Sequence, residues 1–203
     1  MSTALEELAR TASTCTRCRL SAGRTQVVFA DGSPDADLMF IGEGPGYHED
    51  MKGVPFVGAA GQLLNTLLGE IGLEREEVRI TNTVLCRPPG NRDPLPDELE
   101  SCRPYLTQQV ELVDPKVIVT LGNFATRVIL DTKAGITRVR GQRFPWNGRT
   151  VIPTFHPAAV LRGGGAASKT MQQVREDFAM VRSILEESRD TAVLVPEEQL
   201  GLF

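Results

Sequence analysis

Four cysteines, the full complement of this 203-residue chain, stand as Cys15-x2-Cys18 followed at a distance by Cys86 and Cys102. The lead pair has the tight spacing of a metal or cluster grip, and only folding could bring the other two to it. Thiolates are ligands for tetrahedral zinc or for an iron–sulfur cluster. Two disulfides, or four unrelated buried thiols, are the alternatives. The chain opens Met-Ser-Thr-Ala-Leu-Glu-Glu-Leu, with neither the basic start nor the apolar stretch of a secretory signal. That points to a reducing, cytoplasmic compartment, where a metal site is expected over disulfides.

A second group of residues has the makings of a pocket. Gly42-Glu43-Gly44-Pro45-Gly46 is a loop whose glycines let a ligand approach the main chain closely. No Gly-Lys-Ser/Thr follows it and it is a poor dinucleotide fingerprint, which argues against nucleotide hydrolysis. Pro55-Phe56-Val57-Gly58 puts a ring in a loop, where stacking on a flat ligand competes with packing. Base–aromatic stacking contributes about 1–3 kcal/mol. The Asn82 amide both donates and accepts, so it either reads the polar edge of a pyrimidine or closes a turn. His156-Pro157 holds one of only two histidines, the other being His48. An imidazole in such a rigid turn can act as a general acid or hold charge developing on an oxygen.

These residues need a frame. Short apolar runs at 37–41, 78–81, 116–121 and 150–154 read as buried strands. Helical patterns fall at 4–10, 61–69, 97–112, 123–131 and 170–188; Leu63, Leu64, Leu67 and Leu68 mark a core-facing helix. Strands alternating with helices predict an α/β fold with a central four-stranded parallel sheet flanked by helices. Each polar segment follows a strand: the glycine loop the first, Asn82 the second, Gly122-Asn123 the third and Phe155-His156-Pro157 the fourth. Ligands of open α/β sheets bind outside the carboxyl ends of the strands, so four segments converge on one crevice.

The length fits one domain, and 41% hydrophobic residues suffice for a core. No apolar run reaches the roughly 18 residues of a membrane span. The net charge of −4 hides an asymmetry. From Thr132 to Arg175 there is no Asp or Glu, and eight Lys or Arg make the stretch +8, leaving −12 elsewhere. Such a stretch is either the footprint of a polyanion partner or a solvated face paired with acids from elsewhere.

Taken together, Gly42-Glu-Gly-Pro-Gly46, Pro55-Phe-Val-Gly58, Asn82, Arg87-Pro-Pro-Gly-Asn-Arg92 and His156-Pro-Ala-Ala159 closely resemble the family 4 uracil-DNA glycosylases. The resemblance runs from about Cys15 to Arg162, with the motifs in order. It implies one domain over residues 1–188, stapled by a [4Fe-4S] cluster on Cys15, Cys18, Cys86 and Cys102. It also implies flipping of deoxyuridine from single- or double-stranded DNA and hydrolysis of its N-glycosidic bond. By the same resemblance Phe56 stacks on uracil, Asn82 reads its edge, and His156 holds charge on O2. Glu43 positions or activates water. Gly44 lines the pocket, and Glu49 excludes the thymine methyl, because a single methyl is otherwise worth only about 1–3 kcal/mol. Better-known relatives carry Asp where this chain has Gly44, which leaves the water-activating group open, with Glu43 the candidate. Some cluster-bearing relatives crosslink to abasic DNA through a histidine in an inserted basic loop. No histidine lies between Arg87 and Cys102, so turnover is expected over capture.

Ala158-Ala-Val-Leu-Arg162 resembles the loop that wedges into a duplex, with Leu161 or Val160 as wedge and Arg162 on phosphate; a helix start with a buried Leu is the other reading. Arg138, Arg140 and Arg143 would contact the DNA backbone or support the cluster side. Residues 189–203 form a tail ending Gln199-Leu-Gly-Leu-Phe203. These five residues resemble a bacterial sliding-clamp-binding peptide, unless they dock back on the domain. The expected protein is a monomer working on DNA in a bacterial nucleoid.

Overall fold

A computed structural model describes residues 3–193. Helix α1 (Thr3–Ser13) leads into the first cysteine pair. The two-residue strand β1 (Asp31–Gly32) precedes β2 (Leu38–Gly42), which is followed by the short α2 (Tyr47–Lys52), α3 (Ala59–Glu70) and β3 (Arg79–Asn82). Helix α4 (Pro96–Val113) leads to β4 (Val117–Leu121), α5 (Gly122–Leu130) and the single turn α6 (Ile136–Val139). Strands β5 (Phe144–Trp146) and β6 (Arg149–Thr154) make a hairpin, and α7 (Pro157–Arg162) and α8 (Lys169–Val193) follow.

The sheet order is β1-β3-β2-β4-β6-β5. Its centre is the expected parallel set, β3, β2, β4 and β6. Two short antiparallel strands, β1 and β5, add an edge on each side, and neither was foreseen. β1 is too short to show alternation, and β5 contains Pro145, which suits an edge because proline has no N–H to give a central ladder. Asn147 and Gly148, both with positive φ, form the tight turn into β6. An Asn-Gly pair is a strong hairpin signal, and it stood in the sequence.

Alternation along the strands divides the core. Leu38 and Phe40 of β2, with Val117, Val119 and Leu121 of β4 and Ile152 of β6, meet α3 and α8 on one face. Met39, Ile41, Ile118 and Val151 meet α4 and α5 on the other. Phe40 stacks on Phe178 of α8 with centroids 5.6 Å apart. Burying each such side chain contributes about 1.5–3 kcal/mol, so the sheet is fixed firmly at its middle. The polar loops all leave from its carboxyl end. No described helix is long and apolar enough to cross a membrane.

Candidate active site

Register sets the centre of the site. β2 and β3 pair with Gly42 opposite Asn82, so their loops leave the sheet side by side. A Cβ on Gly42 would lie 2.4 Å from Asn82 Oδ1 and 2.6 Å from Phe56 Cζ. Glycine is what lets the amide and the ring close over the strand end. Asn82 is 2% exposed, and its Oδ1 has no hydrogen-bond partner. It faces a cavity of about 350 Å³ shared with Glu43, Gly44, Glu49, Phe56 and His156. The structure thus brings the expected pocket residues together.

Phe56 is buried and adopts φ +52°, a left-handed conformation that an aromatic residue rarely takes. Two side chains hold it there. Arg75 donates from Nη2 to Pro55 O (2.6 Å) and from Nη1 to Phe56 O (3.2 Å) and Asn65 Oδ1 (3.0 Å). Its Nε bonds Asp31 Oδ2 at 2.6 Å. Glu49 Oε1 accepts from the backbone N–H of Val57 and Gly58, each at 3.1 Å. Glu49 therefore ties the aromatic loop to α2 as well as lining the pocket. Nothing in the sequence marked Arg75, which sits in an ordinary charged turn; only the fold shows its reach.

The Phe56 ring stacks against His156, centroids 5.6 Å apart and planes 29° from parallel. His156 caps α7, its Nδ1 accepting the Ala158 N–H at 3.1 Å. A neutral imidazole accepting at Nδ1 carries its proton on Nε2. Burial, aided by the positive charge of Arg162 and opposed by Glu49, lowers the His156 pKa to about 4. At neutral pH the ring is an uncharged N–H donor.

Glu43 is the opposite case. Its backbone oxygen accepts from Thr83 Oγ1 (2.5 Å) and Val84 N (3.2 Å), which fixes the residue at the pocket edge. Burial, then the nearby Asp93 carboxylate, push its pKa up to about 7, while Arg162 opposes them. That is the range of a general base working near neutrality. A Cβ on Gly44 would meet Val84 Cγ2 at 2.7 Å, so a carboxylate at position 44 would require Val84 to move.

Beside the glycine loop, Pro88, Asn91, Arg92 and Asp93 form a further wall. Arg92 grips the fully buried Glu98 of α4 through two bonds of 2.8 and 2.6 Å, and Glu98 also accepts the Leu95 N–H. The segment bearing this wall runs from Cys86 to Cys102. All four cysteines line a second, mainly apolar cavity, and all four are free thiols. Leu85 N–H donates to Cys102 Sγ and Arg24 Nη1 to Cys86 Sγ, both at 3.3 Å. Burial pushes the Cys102 thiol up to about 12 and raises Cys86 as well. A bound metal would have to take these protons off. No set of three or more His, Cys, Asp or Glu among the described residues could hold a metal ion as placed. The four thiols around one cavity nonetheless supply the donor chemistry for a larger thiolate-bound group.

The basic stretch is half consumed by the fold. Arg140 is not free for DNA: it forks onto buried Asp177 and Gln173 O, tying α6 to α8. Arg143, Arg149 and Arg175 pair with Glu187, Asp114 and Glu70. Lys133, Arg138, Arg162 and Lys169 are exposed and carry no ion pair among the described residues. Arg162 reaches the pocket. Val160 is fully buried in the core and cannot serve as a wedge, whereas Leu161 is 42% exposed. Successive helical residues point different ways, so the helix start and an exposed Leu coexist. The tail motif Gln199–Phe203 lies outside the described residues.

Residues 29–179 match the family model described as the uracil DNA glycosylase superfamily. A type-4 uracil-DNA glycosylase of Sulfurisphaera tokodaii is 43% identical over 89% of this chain and 84% of its own. One from Thermotoga maritima is 46% identical over 84% and 89%. A type-5 uracil-DNA glycosylase of Pyrobaculum aerophilum is 30% identical over 70% and 71%.

The grip on Phe56 carries a prediction about stability. Removing Arg75 strands a carboxylate and two backbone carbonyls, and hydrogen bonds to a charged group are worth about 1.5–3 kcal/mol each. Arg75→Ala is expected to lower the urea-unfolding free energy by about 3 kcal/mol. Arg75→Lys, which keeps the charge but not the planar fork, should recover less than half of that loss.

Proposed function

The chain belongs to the uracil-DNA glycosylase superfamily, and on that premise we propose how its pocket acts: it takes deoxyuridine flipped out of DNA and hydrolyses the N-glycosidic bond. Uracil is released and an abasic site remains. The observation that carries this reading is the buried, unpartnered Asn82 Oδ1, set beside a ring and an N–H donor. Uracil presents N3–H as donor and O4 as acceptor, which an Asn amide matches from one side. Phe56 offers the stacking surface. As the C1′–N1 bond breaks, its electron pair passes into the base and charge gathers on O2. The neutral His156 Nε2–H is suited to stabilise that charge without first losing a proton. Water adds to the oxocarbenium-like C1′, and the Glu43 carboxylate takes its proton. Glu49, which lines the pocket, would exclude a 5-methyl group, and the exposed Arg162, Arg138 and Leu161 would meet DNA.

Cys15, Cys18, Cys86 and Cys102 would hold a [4Fe-4S] cluster, which when bound supplies a fixed crosslink and no electrons that hydrolysis needs. Gln199–Phe203 would dock on a sliding clamp and tether the enzyme at replication sites. We expect a monomer acting in the cytoplasm.

The test uses labelled duplexes with one U·G, U·A or T·G pair. Alkali-dependent cleavage at uracil alone is expected, with Asn82→Ala and His156→Ala each costing about 10²–10³-fold in kcat/KM. No cleavage, or a covalent DNA adduct that survives denaturation, would overturn the reading. The pH profile adds a second check. Glu43 acts as a carboxylate, so the rate should fall about tenfold per unit below pH 7 and level off above it. Glu43→Gln should lower the rate and abolish that limb; a limb that persists assigns the base elsewhere. Anaerobically purified protein should show broad visible absorbance, absent for zinc, that Cys102→Ser bleaches.

A further inference from the structure

Four large apolar side chains stand exposed among the described residues: Tyr47, Met51, Leu112 and Leu161. Leu161 belongs to the α7 side of the pocket, and two of the others share α2. Tyr47 is 53% exposed and Met51 50%, and at four residues apart they lie on one helix face. The Arg87 guanidinium lies over the Tyr47 ring, 5.1 Å from its centroid. Arg87 is oriented by its bond from Nε to Asn91 Oδ1, 2.7 Å. Its Nη groups have neither a hydrogen bond nor an ion pair among the described residues. Both members of the pair border the pocket, because Gly46 and Pro88, their chain neighbours, line it. A half-open stack of ring and unpaired cation, one residue along the chain from the lining of a base pocket, has the chemistry that recognises a second nucleotide. Bases stack on aromatic and guanidinium planes, and the cation meets phosphate.

We infer that Tyr47 and Arg87 form a subsite for the nucleotide next to the flipped deoxyuridine in single-stranded DNA. The inference rests on the glycosylase reading above. Continuity with the pocket and the free positive charge favour this occupant over a protein. A single strand suits it because its neighbouring base is free to leave its own stack, whereas in a duplex that base is already stacked and paired.

The test compares two single-stranded oligonucleotides with one deoxyuridine. One has ordinary bases on both sides, and the other has base-less sugar linkers there. Tyr47→Ala is expected to lose roughly tenfold in kcat/KM on the first and nothing on the second, with Tyr47→Phe keeping wild-type activity on both. Equal loss on both substrates would mean that Tyr47 acts through the pocket or the fold, and no loss on the first would mean that no base binds there; either overturns the subsite. Wild-type protein inactive on both oligonucleotides and on duplexes would instead remove the glycosylase reading itself, and the subsite with it.

Discussion

The site is built around an atom that is missing by design of the sequence, the Cβ of Gly42. At the end of β2 the absence of a side chain lets the Phe56 ring and the Asn82 amide approach to distances that any other residue would forbid. The sheet register puts Asn82 opposite that glycine. The left-handed backbone of Phe56, pinned by Arg75 and Glu49, turns the ring in. His156 then stacks on the ring. Each of these placements depends on the one before it, so a shift in strand pairing would dismantle the pocket at once.

Two ionisable groups at this centre are pushed in useful directions by the same burial. Desolvation disfavours the charged form of either. It leaves His156 neutral, a donor with a fixed tautomer, and brings Glu43 to about neutrality, where it can exchange a proton. Arg162 lowers both and Asp93 raises Glu43, so the pocket rim participates in setting the base. Separating the working states of two groups by environment is a common way for one site to hold an electrostatic donor and a base together.

The cysteine cavity and the pocket are not independent. Cys86 and Cys102 bracket the segment whose residues Pro88 to Asp93 wall the pocket. Inside the bracket, Arg92 and Glu98 fold the segment onto the start of α4. A group bound by the thiols would shorten the effective loop from both ends and reduce the conformations open to the wall. Such a group would act on the pocket as a structural crosslink, through the segment that walls it.

The frame was legible in the sequence because its signals are local. Apolar runs with the right length gave β2, β3, β4 and β6, leucine spacing gave α3, and polar residues just beyond each strand gave Glu43, Asn82 and His156 as neighbours. The β5–β6 hairpin was missed: Asn147-Gly148 signals its turn, but the proline in β5 disguised the strand. Tertiary structure alone decided which charges are spent and which are free. Arg138 and Arg140 look alike in the chain, yet only Arg140 meets a buried aspartate from a helix 37 residues on. Val160 and Leu161 are adjacent, yet one faces the core and the other solvent. Arg75 became visible only where the fold set it under Phe56. The sequence by itself determined the four central strands, the order of the motifs and the chemistry of the groups they carry, because those follow from neighbours along the chain. Which face each side chain occupies, which partner consumes it and which protonation state it holds depend on atoms distant in sequence, and only packing brings those to it.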